Sequence, residues 1–191
     1  MKQKIIDNSI LLFEKKGFSA TSIQDIVDSL DVTKGTFYYY FSSKEQLLMD
    51  IHDDYITDLL ARQAKAVVNV KTNREKLEAT VYLLLTDIEQ KGAEGRVFFR
   101  EIRHLDHRHA AQIREKRDTF RQRIVHILQQ GIETGEFRTQ LQTDMLSFAI
   151  LGMTNWSYQW YHPAGEISPK QLTIIFVDLI LHGVVPTSEE M

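Results

Sequence analysis

Apolar residues recur every three or four positions along most of the chain, which is the spacing of one buried face on an α-helix. Capping signals divide this pattern into helices: residues 2–17, two short helices that begin at Ser22 and Thr33, then 43–70, 73–91, 96–104, 106–135, 144–161 and 168–184. Three prolines and nine glycines leave few breaks. The sequence therefore predicts an all-α fold, with a small helical domain at the N-terminus and a larger helical domain after it.

Residues 21–44 have the pattern of a helix-turn-helix. The first short helix has a hydroxyl start signal at Ser22, and its buried side is formed by Ile23, Ile26, Val27 and Leu30. The turn places Asp31 where we expect a positive φ, a conformation that Asp tolerates better than most residues. Thr33 is the expected N-cap of the second short helix, and Phe37 points inward from it.

The outer surface of this second helix is small, polar, cationic and aromatic, without an acid. Gly35 permits close approach to a duplex, while Lys34 and Thr36 can contact base edges in the major groove. Tyrosine hydroxyls and helix N-termini suit backbone phosphates, and Lys44 adds a charge there. We predict DNA contacts from nine residues: Ser22, Thr33, Lys34, Gly35, Thr36, Tyr38, Tyr39, Tyr40 and Lys44.

Residues 5–48 resemble the DNA-binding domain of the TetR family of bacterial transcriptional regulators. The matching positions are Ser22, Ile26-Val27, Asp31-Val32, the run 33–41, Lys44 and Leu47. Val27 stands in place of the usual alanine, and Asp31 in place of the usual glycine. The resemblance implies a DNA-binding domain (1–48), a ligand-binding and dimerisation domain (49–191), a homodimer through the last two helices, and release of operator DNA when a small molecule binds.

The composition of the chain limits the chemistry and the cellular location that we expect for this protein. The 191 residues include no cysteine, which excludes disulfides and cysteine-based metal sites, and we expect no cofactor. Apolar runs are too short for a membrane span and no signal peptide is visible, so we expect a cytoplasmic protein. The net charge of −3 is unusual for a nucleic-acid binder, but residues 33–44 carry two lysines and no acid.

Residues 96–123 form a strongly cationic zone, with nine Lys and Arg against four Asp and Glu. One interpretation is a solvated helix face with ion pairs. The other is a binding site for an anionic ligand along Arg96, Arg100 and Arg103. The nearby Glu101 and histidines do not predict a metal site, because the second helical motif that a di-metal site needs is missing.

Trp156 and Trp160 are four residues apart, so they share a helix face. Such a face is typical of a dimer interface or of a ligand-pocket wall. The surrounding segment is similar to TetR-type regulators of fatty-acid and steroid catabolism, several of which respond to acyl-CoA thioesters. That resemblance implies a CoA thioester as effector, with its phosphates near Arg96, Arg100 or Arg103 and its acyl part near Trp156 and Trp160.

Two other functional classes remain less favoured. An enzyme would need a recognisable centre, and the sequence has no Gly-rich phosphate loop, nucleophile elbow or paired metal motif. A helical adaptor would have no need for Lys34, Gly35 and the tyrosine run. The sequence therefore favours a ligand-controlled DNA-binding repressor.

Overall fold

The computed structural model describes residues 1–183, and these form nine α-helices and one 3₁₀-helix with no strand among them. The helices are α1 (Lys2–Lys16), α2 (Ile23–Asp28), α3 (Lys34–Tyr40), α4 (Lys44–Ala66), α5 (Asn73–Gln90), α6 (Gly92–Glu101), α7 (His107–Glu133), α8 (Thr143–Trp160) and α9 (Pro169–His182). The 3₁₀-helix is Ile102–His104. The predicted all-α fold is thus confirmed, and the predicted helix end at residue 184 lies outside the described residues.

Two predicted boundaries are wrong. The fourth helix ends at Ala66 and not near residue 70, and α6 begins at Gly92, where a break was expected up to Gly95. Gly95 donates its main-chain N–H to the carbonyl of Lys91 at 2.9 Å and is buried. Tertiary packing of α6 on α1 therefore overrides the ~1 kcal/mol that glycine costs inside a helix.

The chain divides into two compact units. Unit 1 comprises residues 1–59 and 91–117, and unit 2 comprises, within the described residues, 60–90 and 118–183. Two of the three divisions fall inside the long helices α4 and α7, and the third falls between α5 and α6.

Unit 1 has a core shared by α1, α2, α3, the start of α4 and α6. Phe37 of α3 is completely buried, and its ring lies 5.6 Å from that of Phe41. Val97 of α6 is equally buried in this cluster. The other members are Ile5, Ile6, Ile10, Phe13, Phe18, Ile26, Val27, Leu47, Leu48 and Ile51. Residues distant in sequence thus complete the core on which α2 and α3 rest.

Ion pairs and carbonyl contacts join α6 to α1 within unit 1. Arg96 donates from Nε to the Glu14 carboxylate at 2.6 Å. Arg100 donates to the main-chain carbonyls of Phe13 and Glu14, and also to Glu101. These carbonyls belong to the last turn of α1, whose acceptors have no partner within the helix. A guanidinium from α6 therefore caps α1.

Unit 2 has an unusually polar interior. Asp87 of α5 is completely buried, pairs with Arg62 of α4 and accepts a hydrogen bond from the Tyr158 hydroxyl of α8. Buried hydroxyls nearby in the same helices bond to their own main chain, as Thr80 and Thr154 do. A buried ion pair offers little net stability over apolar packing, although breaking one is costly. This triad therefore specifies how α4, α5 and α8 fit together.

Glu136, just after α7, caps the start of α5. Its carboxylate accepts hydrogen bonds from the main-chain N–H of Arg74 at 3.1 Å and from the Asn73 side chain at 2.8 Å. These hydrogen bonds lower the pKa of Glu136 from 4.5 to about 2, and the bond from the main chain of Arg74 is the largest cause of the shift. Since the pKa falls on folding, the carboxylate stabilises the folded state above pH 4.5, and this contribution is lost as the pH falls towards 2.

We expect Glu136→Gln to flatten the pH dependence of stability in that acid window. Urea unfolding of wild type and variant, across pH values on both sides of the window, measures the difference. Glu133→Gln removes an exposed carboxylate from the end of α7 and is the matched control. Equal slopes in wild type and Glu136→Gln would contradict the capping role.

Candidate DNA-binding and effector sites

Caps and a strained turn fix the geometry of α2. The Ser22 hydroxyl accepts from the main-chain N–H of Asp25 at 3.1 Å, and the Asp25 carboxylate accepts from the N–H of Ser22 at 2.7 Å. The bonds from Ser22 lower the pKa of Asp25 to about 2. Asp31 has φ of 52°, as predicted, and the next residue returns its N–H to Val27 at 3.0 Å. The chain therefore leaves α2 at a defined angle.

The exposed side of α3 carries no acid. Thr33 is its N-cap, and its hydroxyl accepts from the N–H of Thr36 at 3.3 Å. Lys34 and Gly35 are exposed on the first turn, while Phe37 holds the opposite side in the core of unit 1. An added Cβ at Gly35 would meet only the Thr33 hydroxyl, at 3.5 Å. The fold itself therefore does not require glycine at this position.

The three tyrosines of α3 differ in exposure. Tyr39 is 80% exposed and Tyr38 54%, so both hydroxyls can reach a partner outside the protein. Tyr40 is half-buried, and its ring packs edge-on against Tyr39 with centroids 4.8 Å apart. Tyr40 therefore supports the position of Tyr39 as well as presenting its own hydroxyl.

The side chain of Lys44 donates hydrogen bonds to the main chain of unit 1. Its Nζ donates to the main-chain carbonyls of Phe18 at 2.8 Å and Thr21 at 2.6 Å, and lies 4.2 Å from the Phe18 ring centroid. An ammonium has three donors, so two are already used. The sequence could not reveal this contact, because its acceptors lie 26 and 23 residues away. Lys44 ties the segment before α2 to the start of α4.

The arginines that were predicted to bind an anion mostly contact α1. Arg96 pairs with Glu14, and Arg100 caps the end of α1. Arg103 is exposed and lines a surface pocket of about 320 Å³ in unit 1. His104 pairs with Glu101 and His109 with Asp106, and residues 1–183 contain no group of three side chains suited to a metal ion.

Trp156 and Trp160 belong to unit 2 and lie on an exposed apolar face of α8. They are 67% and 46% exposed, and Gly152 on the same face has open space beside it. Helix α9, also in unit 2, carries exposed apolar residues as well. The remaining large exposed residues of the two helices are Met145, Phe148, Ile174, Ile175 and Leu179. This placement favours the dimer-interface alternative over a pocket wall.

Sequence reasoning missed several buried polar residues. Arg62, Asp87 and Tyr158 form the triad of unit 2, and Arg117 lies half-buried in unit 1. One of these residues could have been found from the sequence. Asp87 follows Thr80 by seven residues and lies within the apolar stripe of α5. A charge at a core position of a helix indicates a buried partner.

Family comparisons match both parts of the chain. Residues 5–51 match the model described as bacterial regulatory proteins of the tetR family. Residues 70–184, more than half of the chain, match the model of the tetracyclin repressor-like C-terminal domain. The chain belongs to the TetR family. Members of the TetR family are transcriptional regulators with a helix-turn-helix.

Individual TetR proteins align along nearly the whole chain. The transcriptional repressor KstR2 of Rhodococcus jostii is 26% identical over 184 residues, covering 95% of this chain and 90% of that protein. The structure of KstR2 from Mycobacterium tuberculosis has a TM-score of 0.87 at 25% identity, with 97% and 95% covered. AibR, solved with isovaleryl coenzyme A and operator DNA, has a TM-score of 0.84 at 24% identity, with 94% and 97% covered. At that identity the likeness to AibR shows the fold alone.

None of the helices in the described part has the length and apolarity of a membrane span.

The contacts of Lys44 predict a stability effect. We expect Lys44→Met to lower the free energy of unfolding by about 1.5–3 kcal/mol, because two carbonyls lose a charged donor. Urea unfolding measures the change, and Lys34→Met, on the exposed side of α3, is the matched control. If both variants are as stable as wild type, the contacts of Lys44 contribute nothing to the fold.

Proposed function

We propose that this TetR-family protein is a repressor whose affinity for operator DNA falls when a small molecule binds. Residues 1–48 act as the DNA-binding domain, and residues 49–191 bind the effector and dimerise. The observation that carries the proposal is the acid-free outer side of α3, held in place by Phe37 and by the N-cap Thr33.

The DNA contacts divide by chemistry. Lys34 and Thr36 contact base edges from the first turn of α3, where Gly35 removes the steric barrier to close approach. Ser22 and Thr33 lie at helix starts and, with the tyrosine hydroxyls, bond to phosphate oxygens. Lys44 acts through its spare donor and through the position that it gives to α2. The net charge of −3 makes this local surface, not bulk attraction, the source of affinity.

Dimerisation supplies the second DNA-binding domain. TetR regulators are dimers, and the exposed apolar face of α8 and α9 is the surface that we assign to this contact. Large aromatic residues such as Trp156 and Trp160 dominate interfaces of this kind. Gly152 lets a partner helix approach closely at the centre of the α8 face. Two copies of α3 then meet successive major grooves.

The effector is an acyl-CoA thioester in this proposal. Support comes from the AibR complex with isovaleryl coenzyme A and from the cationic zone of residues 96–123. Arg103 is exposed and available to phosphate oxygens, whereas Arg96 and Arg100 would have to exchange their partners in α1.

Repression is relieved by a shift between two conformations. An effector that binds both forms equally changes nothing, so it must prefer the form that fits DNA poorly. Because Val97 of α6 lies in the same core as Phe37 of α3, a displacement of α6 acts directly on the DNA-binding helices.

Gly35→Ala separates DNA binding from folding. We expect the variant to be as stable as wild type, or more stable by up to ~1 kcal/mol, because alanine favours a helix. We expect its affinity for duplex DNA to fall about tenfold or more, since the new methyl group occupies the closest approach. Fluorescence anisotropy with fragments that the wild type selects from a random pool measures the affinity. Leu11→Ala, on the exposed side of α1, is the control, and unchanged affinity in Gly35→Ala would refute the assigned contact surface.

A charge in the apolar face of α9 tests the dimer. We expect Ile175→Glu to yield monomers, because burying an unpaired carboxylate in the interface costs several kcal/mol, and to weaken DNA binding. Light scattering and anisotropy measure both effects on the same sample. Gln129→Glu, which adds a carboxylate at an exposed position of α7, is the matched control. A variant that stays dimeric would place the interface elsewhere.

A further inference from the structure

A concave surface of unit 1 gathers positive charge. The pocket of about 320 Å³ that Arg103 lines lies between the end of α1, the segment before α2 and the end of α6 with its 3₁₀-helix. Its lining includes four basic side chains, and Glu101 is the one carboxylate that the structure describes there. The basic residues are Lys15, Lys16, Arg100 and Arg103. The chain as a whole has a net charge of −3, so its composition does not explain this concentration.

Two of the four cations are already neutralised within unit 1. Arg100 pairs with the buried carboxylate next to it in sequence, and Lys16 lies 3.2 Å from the carboxylate of Asp25. Lys15 and Arg103 are exposed, and neither forms an ion pair with a residue in the range 1–183. Like charges on the wall of one pocket repel each other, and the concave wall concentrates their field. An anion from outside the chain relieves that repulsion.

The pocket lies next to a residue that is assigned to DNA. Ser19 and Ala20 line it, three and two residues before Ser22. Ser19 Oγ is 3.5 Å from Nε2 of His104, so the 3₁₀-helix contacts the chain just ahead of α2. Three residues span at most about 11 Å of chain, while the phosphates of one strand advance about 3.4 Å each along the duplex axis. A strand bound at Ser22 therefore has further phosphates at the distance of the pocket.

Packing around Phe18 fixes this arrangement. The Phe18 ring lies 5.3 Å from the ring of His104, and its centroid lies 4.2 Å from Nζ of Lys44. Lys44 also donates to the main-chain carbonyl of Phe18 at 2.8 Å. The 3₁₀-helix and the start of α4 thus hold the same short segment. This contact fixes where Arg103 leaves the main chain relative to Ser22.

The dipole of α1 offers a simpler explanation for some of the basic residues. Cations are favoured in the last turn of a helix, and Lys15 and Lys16 occupy that turn of α1. The main-chain carbonyls at this end are already bonded to Arg100, and Arg103 belongs to the 3₁₀-helix after α6. The dipole of α1 therefore does not account for an unpaired guanidinium that lines the same pocket as Lys15.

We propose that Lys15 and Arg103 bind phosphates of the operator backbone beside the phosphate assigned to Ser22. The DNA-contact surface then extends beyond the helix-turn-helix to the 3₁₀-helix that follows α6. The ammonium of Lys15 acts as a point charge, and the guanidinium of Arg103 pairs with two phosphate oxygens at once. A displacement of α6 then alters a DNA contact as well as the packing beneath α3. This inference rests on the proposed function, because it takes the protein to bind duplex DNA.

Salt titrations of DNA binding test the contact, because each phosphate that a cation neutralises adds about 0.9 to the slope of log K against log salt concentration. The probes are a duplex that the wild type selects from a random pool and the same duplex shortened stepwise at both ends. The variants are Lys15→Gln and Arg103→Gln. Arg114→Gln, which removes an exposed guanidinium of α7 outside the pocket, is the matched control. Fluorescence anisotropy measures affinity, and thermal unfolding confirms that each variant is folded.

With the long duplex, we expect Lys15→Gln and Arg103→Gln each to reduce the slope by about 2 per dimer, one phosphate in each half-site. Each variant binds about threefold to tenfold more weakly at low salt. Shortening the duplex weakens wild-type binding until the outer phosphates are gone, and from that length Arg103→Gln and wild type bind alike. Arg114→Gln keeps the wild-type slope at every length.

Free coenzyme A separates the operator backbone from the other source of phosphate, because the proposed effector also carries phosphates that Arg103 could meet. Calorimetric titration of wild type and Arg103→Gln with coenzyme A, without DNA, measures that binding. Heat that is lost in Arg103→Gln, together with a wild-type salt slope in that variant, assigns the pocket to the effector and overturns the DNA contact.

Two further results would overturn it: wild-type slopes in both Lys15→Gln and Arg103→Gln, or an equal loss in Arg114→Gln, which would indicate a bulk charge effect. The outcomes for the wild type separate this inference from the proposed function. If the wild type binds no duplex at any salt concentration, the repressor proposal fails and the contact fails with it. If it binds duplex and neither variant changes the slope, only the contact is wrong.

Discussion

The contact between α6 and α1 is the constraint on which the rest of unit 1 depends. Arg100 caps the end of α1, Arg96 pairs with Glu14, and Val97 completes the core beneath the DNA-binding helices. Residues 91–117 therefore fold with the N-terminal helices, although a long helix and all of α5 separate them in sequence. A displacement of α6 changes the packing beneath α2 and α3 directly, because the three helices share one core.

Stability alone does not explain the polar groups in either unit. The Asp87 triad in unit 2 and the Arg117 and His52 pair in unit 1 occupy positions where apolar residues would pack at lower cost. The triad satisfies its charges internally, so it fixes the arrangement of three helices. In unit 1, His52 is completely buried beside the carbonyl of Leu48, and Arg117 is half-buried against the rings of Phe98 and Phe99.

Local signals in the sequence predicted the DNA-binding helices well. Ser22 and Thr33 are N-caps, Asp31 has positive φ, and Phe37 is buried, all as expected from the neighbouring residues alone. Each of these features is decided within about four residues of chain, which is the reach of a cap or a turn. The start of α6 was missed because glycines at 92 and 95 read locally as a break, whereas packing against α1 makes them helical.

The roles of the charged side chains show the limit of such reasoning. Lys44, Arg96 and Arg100 looked available for phosphate in the sequence, yet their donors bind acceptors more than twenty residues away. Periodicity places a residue on a helix face but does not say which helix that face meets. By itself the sequence determined the helices, the turn and the acid-free surface of α3, because local propensities and caps fix them. Only the tertiary structure decided which cations are already paired and which, like Arg103, are not, since that depends on acceptors brought together by packing.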